Sequence, residues 1–254
     1  MGNNKFAPPV ALLMGRKGSQ GLPGKNCMIL LGKKIMHYPL MAAKTSKYVK
    51  NIFVSTDDDE IAEESKIFGA EHILRPPELC TNKALFEDAL LHGFHEVTKR
   101  LGKIPEFLVA LMCNAPTVNA QLIDEAIEKL RADDEADSAV TVSVFNMWSP
   151  MRARKLNDQG YLDPFIPLEF WGDSSKVNCD RDSQGNVYYA DMSHSVCKPR
   201  CFDDDMKDGL LPQKWMGKKI LPVRNPFGCD IDYDWQIPMV EFWLEKYSDF
   251  EKNK

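Results

Sequence analysis

The sequence predicts an α/β fold, a mostly parallel sheet flanked by helices. Three observations carry that expectation. Strand-like and helix-like segments alternate from Val10 to Phe145 with short connections. Within that stretch the segment EFLVALMCNAP (Glu106 to Pro116) is apolar almost throughout, as a strand covered on both faces requires. After Phe145 the alternation gives way to turns and short aromatic runs, which predict a small β-rich excursion from the core.

The elements follow in order. Val10 to Leu13 is a short buried strand, and a glycine-rich loop follows it. From Met36 to Val49, Met36, Leu40, Met41 and Ala43 recur at helical spacing, and the lysines at the end suit a helix C-terminus. NIFVSTDD (Asn51 to Asp58) is a second strand, rich in β-branched residues. DEIAEESKIFGAE (Asp59 to Glu71) is an amphipathic helix with its acids early and Gly69 as C-cap. HILRP is a third strand, stopped by Pro76 and Pro77. Leu85 to Leu101 is a helix, Glu106 to Pro116 the fourth strand, AQLIDEAIEKLRA another helix and Asp137 to Phe145 another strand. Residues 146–190 read as an antiparallel, hairpin-like arm with turns at Asp158-Gln159-Gly160 and Asp182-Ser183-Gln184-Gly185. KKILPV returns to the core, and CDIDYDWQIPMVEFWLEKY predicts a strand end and a terminal helix. No composition shift marks a linker, so residues 1–254 are expected to form one domain carrying the arm.

The 254 residues, 44% hydrophobic and 27% charged, suffice for a sizeable core. A net charge of -5 argues against a nucleic-acid partner, which needs a broad basic face. No run approaches the roughly 20 apolar residues of a membrane span, and no early apolar stretch resembles a secretory signal. The expectation is a cytoplasmic protein with no membrane partner. Seven scattered cysteines fit free thiols in a reducing compartment. His92 and His95 lack partners at ligand spacing and read as a helix face.

Function concentrates in MGRKGSQGLPGKN, Met14 to Asn26. Ligands of open α/β sheets bind beyond the carboxyl ends of the strands, where this loop begins. Gly15, Gly18, Gly21 and Gly24 let backbone approach an anion, Arg16, Lys17 and Lys25 supply charge, and Ser19 supplies a hydroxyl. A P-loop is excluded by Ser19 and Asn26 at motif positions, and no G-x-G-x-x-G occurs. A solvated turn is the alternative reading. Near the other end, Asp230 and Asp232 flank Ile231 and would share one face of a strand. Two such carboxylates suit Mg²⁺, and an acidic turn capping the last helix is the alternative.

The loop GRKGSQGLPGKN resembles the N-terminal signature of the CMP-sialic acid synthetase family, the CMP-N-acylneuraminate and CMP-Kdo synthetase-like cytidylyltransferases. Arg16, Gly18, Ser19, Gly21, Leu22, Pro23, Lys25 and Asn26 carry the match. STDDDEIAEESKIFGAE is similar to the family's second strand and helix, RPPEL (Arg75 to Leu79) to its Arg-Pro-x-x-Leu element, and CDIDYDWQ to its Asp-Ile-Asp element. The resemblance implies a Rossmann-like nucleotide-diphospho-sugar transferase fold. It also implies reaction of CTP with a small sugar acid, giving a CMP-sugar and pyrophosphate. Arg16 and Lys25 would be the catalytic cations. Gly15, Gly18, Ser19 and Asn26 would join them in holding the nucleotide. Arg75, with carbonyls near Cys80, would select cytosine, and Asp230 and Asp232 would hold Mg²⁺. The arm of residues 146–190 resembles the family's dimerisation excursion and implies a homodimer.

Departures from the pattern lie toward the acceptor. Asn114 stands where distant nucleotidyltransferases carry an Asp, Asn82 where the family has an acid, and Asp191-Met192-Ser193 where it has Asn-Gly-Ala. Asn114, Asp191 and His194 are therefore the candidate acceptor contacts. The expected acceptor is a nonulosonic or ulosonic acid. A different acceptor such as a phosphonate, or nucleotide binding without turnover, are the alternatives.

Overall fold

A computed structural model of the chain describes residues 5–18, 21–173, 175 and 178–247. The elements in chain order are β1 (Val10–Met14), a hairpin of β2 (Ile29–Leu30) and β3 (Lys33–Lys34), α1 (His37–Thr45), β4 (Asn51–Thr56) and α2 (Asp59–Lys66). Then come β5 (Glu71–Leu74), α3 (Phe86–Leu101), β6 (Leu108–Met112), α4 (Ala120–Ala132) and β7 (Ser138–Val144). The arm holds β8 (Arg154–Leu156) and β9 (Leu162–Pro164). β10 (Tyr188–Cys197), β11 (Ile220–Arg224) and α5 (Gln236–Tyr247) complete the series.

Seven strands form one sheet in the order β11-β7-β10-β6-β1-β4-β5. β1 lies parallel to both β4 and β6, β5 parallel to β4, and β11 parallel to β7. The expected mostly parallel sheet is present, and β1 is central because both its faces are apolar. Ala11 and Leu13 pack into the layer that includes α1 and α4, whereas Val10, Leu12 and Met14 pack into the layer under α3. A strand buried on both faces has no polar alternation, which is why VALLM reads as a continuous apolar run. Among the described residues, no helix is long and apolar enough to cross a membrane.

Two expectations are corrected. The helix expected to reach Val49 ends at Thr45. The cause is Asp124 on α4, whose Oδ1 accepts hydrogen bonds from the Ser46 hydroxyl (2.6 Å) and the Lys47 amide (3.1 Å), turning the chain out of the helix. The arm does not extend to residue 190, because Tyr188 already belongs to β10, which lies antiparallel between β6 and β7. β10 is irregular: its register with β7 shifts between Ala190 and Ser195, and Met192 has φ +63°. That shift, with Asp191, Ser193, His194 and Ser195 all buried, erases the period-2 pattern by which a strand is recognised.

Candidate active site

The carboxyl ends of β1 and β6 open into a cleft of about 330 Å³. Gly15 and Arg16 enter it from β1, Asn114 from β6, Arg75 from the end of β5, and Lys25, Asn26 and Asp232 from loops. A larger groove, about 800 Å³, runs between α4, α5 and the β2–β3 hairpin, but holds none of these seven residues. The cleft with the convergent charges is the better site.

The first loop is fixed at several points. The Gly15 amide donates to Ser55 O at 3.2 Å. Arg16 Nη1 donates to Cys80 O at 3.2 Å and to Asn82 Oδ1 at 2.9 Å, so the guanidinium spans the cleft mouth. The Asn26 side chain braces the loop, Nδ2 donating to Arg16 O at 3.4 Å. Lys25 is 9% exposed, and its ammonium forms an ion pair with Asp232. Gly21 packs directly on the same segment: a Cβ there would lie 2.6 Å from Asp232 O, so only glycine lets the loop approach this closely. Gly18 is exposed and outside the cleft lining, and Ser19 lies outside the described residues.

Arg75 is 5% exposed. Its Nε donates to Ser55 Oγ (3.2 Å) and its Nη2 to Ser55 O (2.6 Å), which fixes the guanidinium plane against the end of β4. Burial pushes its pKa down from the ordinary value, with partial compensation from Asp57. The Cys80 carbonyl is engaged by Arg16, and burial pushes the Cys80 thiol up.

Asp230 and Asp232 are not on a strand, contrary to expectation; residues 228–232 are irregular. Side chains rather than a ladder hold the segment. Ile231 N donates to Asn114 O (2.8 Å) while Asn114 Nδ2 donates to Ile231 O (3.1 Å). Gly228 N donates to Ser143 Oγ (2.8 Å), Cys229 N to Thr117 Oγ1 (2.9 Å), and Asp232 N to Gln236 Oε1 (2.7 Å). Burial and then the neighbouring Asp232 push the Asp230 carboxyl above its usual range. Asp232 lines the cleft and Asp230 lies just outside its lining; a divalent cation bound at this pair, beside Lys25, would relieve the burial and the neighbouring charge that disfavour ionised Asp230. Among the described residues no group of three His, Cys, Asp or Glu side chains could hold a metal. Such an ion would therefore complete its shell with phosphate oxygens and water.

Asp191 and His194 are not in the cleft, contrary to the expectation that they touch an acceptor. Both lie inside the sheet on β10. Asp191 accepts from Ser143 Oγ (2.8 Å) and Ser193 N (3.0 Å). His194 is 1% exposed, both its ring nitrogens lack a hydrogen-bond partner among the described residues, and burial pushes its pKa down to about 3. Asn114 does line the cleft, and its side chain also tethers Ile231. Sequence reasoning missed the residues behind the site: Thr117, Ser143, Asn225 and Gln236. Isolated polar residues carry no spacing signal, and only the fold brings them together.

Residues 10–158 match the family described as Cytidylyltransferase. The chain is 26% identical over 185 residues to an N-acylneuraminate cytidylyltransferase of Escherichia coli, covering 73% of this chain and 42% of that protein. It is 25% identical over 235 residues to a CMP-N,N'-diacetyllegionaminic acid synthase of Legionella pneumophila, covering 90% and 93%. The chain thus spans less than half the length of the first relative and nearly all of the second. Two solved structures share its fold. One is a CMP:2-keto-3-deoxy-manno-octonic acid synthetase complexed with CTP (TM-score 0.67, 14% identity, covering 94% of this chain and 99% of that one). The other is a 4-diphosphocytidyl-2C-methyl-D-erythritol synthase from Anaerococcus prevotii (TM-score 0.61, 15% identity, 95% and 99%).

Proposed function

The chain belongs to the cytidylyltransferase family, and from that premise we propose that it transfers CMP from CTP to a sialic-acid-like sugar acid, releasing pyrophosphate. One observation carries the reading: a single cleft at the strand ends gathers Arg16, Lys25, Arg75 and Asp232. The similarity to the Legionella synthase, which extends over nearly both chains, supports a nonulosonic acid as acceptor.

In this reading, an acceptor hydroxyl oxygen attacks the α-phosphorus, forming one P–O bond as the bond to the β-phosphate bridge breaks and the hydroxyl proton is released to water. Charge moves onto the departing pyrophosphate. Lys25 and Arg16 neutralise it, and their fixed positions avoid reorganisation at the moment of transfer. Arg75, its plane set by Ser55, presents donors to the cytosine carbonyl. Asn114 holds the backbone of Ile231 and so aims the adjacent carboxylates. Asp230 and Asp232 would hold Mg²⁺, which supplies charge stabilisation at the phosphates and a more acidic acceptor hydroxyl.

We also assign the arm to a homodimer interface. Phe170 is 78% exposed, Tyr161 70% and Trp148 67%. Phe165 and Leu162 of the same arm are also exposed, and large apolar side chains left exposed together in one segment favour an interaction site there. The seven free cysteines fit a cytoplasmic protein.

Pyrophosphate release measured with each of the four NTPs against a panel of sugar acids and phosphonates tests the reading. The expected result is release with CTP and a nonulosonic or ulosonic acid. Release only with a phosphonate would replace the acceptor class, and binding of CTP without release under any condition would replace turnover with binding alone.

A further inference from the structure

We propose that the Lys25–Asp232 ion pair is a latch that makes the nucleotide and its divalent cation bind cooperatively, each freeing the residue the other needs. The inference rests on the CTP- and Mg²⁺-dependent reading above. Lys25 is the buried cation facing the triphosphate, and Asp232 is one of the two carboxylates suited to the cation. Here they occupy each other.

The two side chains differ in their freedom. The Lys25 side chain is 11% exposed and the Asp232 side chain 51%. The backbone on either side of the Asp232 carboxylate is pinned. Ile231 is bonded both ways to Asn114, Asp232 N and Tyr233 N both donate to Gln236 Oε1, and Gly21 abuts Asp232 O. The carboxylate can therefore swing away from Lys25 by rotation of its own side chain, without loop movement.

Each ligand alone meets a penalty. A metal-free triphosphate that takes Lys25 leaves Asp232 without its cation, next to Asp230 and beside four new negative charges. A cation that takes Asp232 without nucleotide leaves an almost buried ammonium stripped of its ion-pair partner, with only the neighbouring Asp230 as counter-charge, a costly state. When both bind, Lys25 passes to phosphate and Asp232 to the cation, and neither is stranded. The coupling is reciprocal by linkage, so each ligand raises the other's affinity by the same factor. A protein coupling of this kind falls on the order of 5- to 150-fold. The latch also keeps the empty site close to neutral and disfavours unproductive binding of nucleotide without its metal.

Calorimetric titration with CTP in EDTA, with no acceptor, reads the latch directly. Asp232→Asn should bind metal-free CTP about tenfold more tightly than wild type. Asp230→Asn removes the same charge but leaves the ion pair intact, and should change that affinity by less than about threefold. Equal or weaker binding by Asp232→Asn, or an equal gain in Asp230→Asn, overturns the latch. A second measurement uses Mn²⁺ alone, followed by electron paramagnetic resonance. Lys25→Met frees Asp232 and should bind Mn²⁺ about tenfold more tightly than wild type, and unchanged Mn²⁺ affinity overturns the proposal. Failure of the wild type to bind CTP with or without Mg²⁺ would instead overturn the CTP reading itself, and the latch with it.

Discussion

Lys25 and His194 are both buried polar residues singled out by sequence, and the fold puts them to different uses. Lys25 lines the cleft, where its ammonium is held by Asp232 and would pass to a phosphate once that pair opens. Lys25→Ala should lower kcat/KM for pyrophosphate release about 100-fold or more, equivalent to about 2.7 kcal/mol of transition-state stabilisation. Near wild-type kcat/KM in steady-state assays would remove Lys25 from the machinery. The His194 ring has no hydrogen-bond partner among the described residues and does not line the cleft, so its consequence is for stability. Burial holds its pKa near 3 in the folded chain, against about 6.5 unfolded. The folded state therefore binds fewer protons between those values. Stability present above pH 6.5 is lost as pH falls through that window, by about 2 kcal/mol at pH 5. Denaturant midpoints measured from pH 6.5 to 5 should fall in the wild type, and the fall should be shallower in His194→Leu. An identical slope in that variant would assign the acid sensitivity to other groups. Arg16, Lys25, Arg75 and Asp232 were legible because they sit in ordered motifs. The misplacement of His194 and Asp191 followed from an unrecognised strand.

That strand, β10, shows where element-level reading stops. From β1 to β7 the sequence predicts the order and type of each element except the short β2–β3 hairpin, which it missed because two-residue strands, one of them Lys33-Lys34, carry no apolar pattern, and α1 ends earlier than expected, at Thr45. β10 buries Asp191, Ser193, His194 and Ser195 around a register shift, so its burial is polar and its period broken. The same strand anchors the irregular segment that carries Asp230 and Asp232. Gly228 is packed on Asp191, and a Cβ there would lie 2.0 Å from Asp191 Cγ. Gly228→Ala must displace a buried carboxylate that accepts from Ser143 and Ser193, and should cost about 1–3 kcal/mol of stability. Thermal unfolding checks this, and an unchanged midpoint would show that the segment yields freely. Hairpin β8–β9 needs partners of another kind: Leu156 and Leu162 are exposed on a two-stranded ribbon too small to be stable alone, and Phe165 and Phe170 are exposed in the segment that follows it. The arm should therefore be covered by a second copy, and light scattering at micromolar concentration should give a dimer. A monomer would contradict the assignment.

At the scale of the whole molecule, the parallel half of the sheet sets the strand ends on which the first loop, Arg75 and Asn114 converge. The polar network behind β10 brings in Asp230 and Asp232 from the far end of the chain. The fold and the residues that gather in the cleft were readable because the glycine-rich loop and Arg75 follow strand ends in a fixed order along the chain. The acceptor side was not, because a few scattered contacts decide it. The account's central claim is transfer of CMP to a sugar acid, and the most direct measurement is the product itself. Purified protein is incubated with CTP, Mg²⁺ and a nonulosonic acid, and the mixture is analysed by mass spectrometry alongside quantified pyrophosphate. The account predicts a CMP-linked sugar acid formed in equal amount to pyrophosphate. Formation should be abolished by EDTA and by either Asp230→Asn or Asp232→Asn, with the fold retained. Pyrophosphate without a CMP-linked product, or full product formation in EDTA, would contradict it.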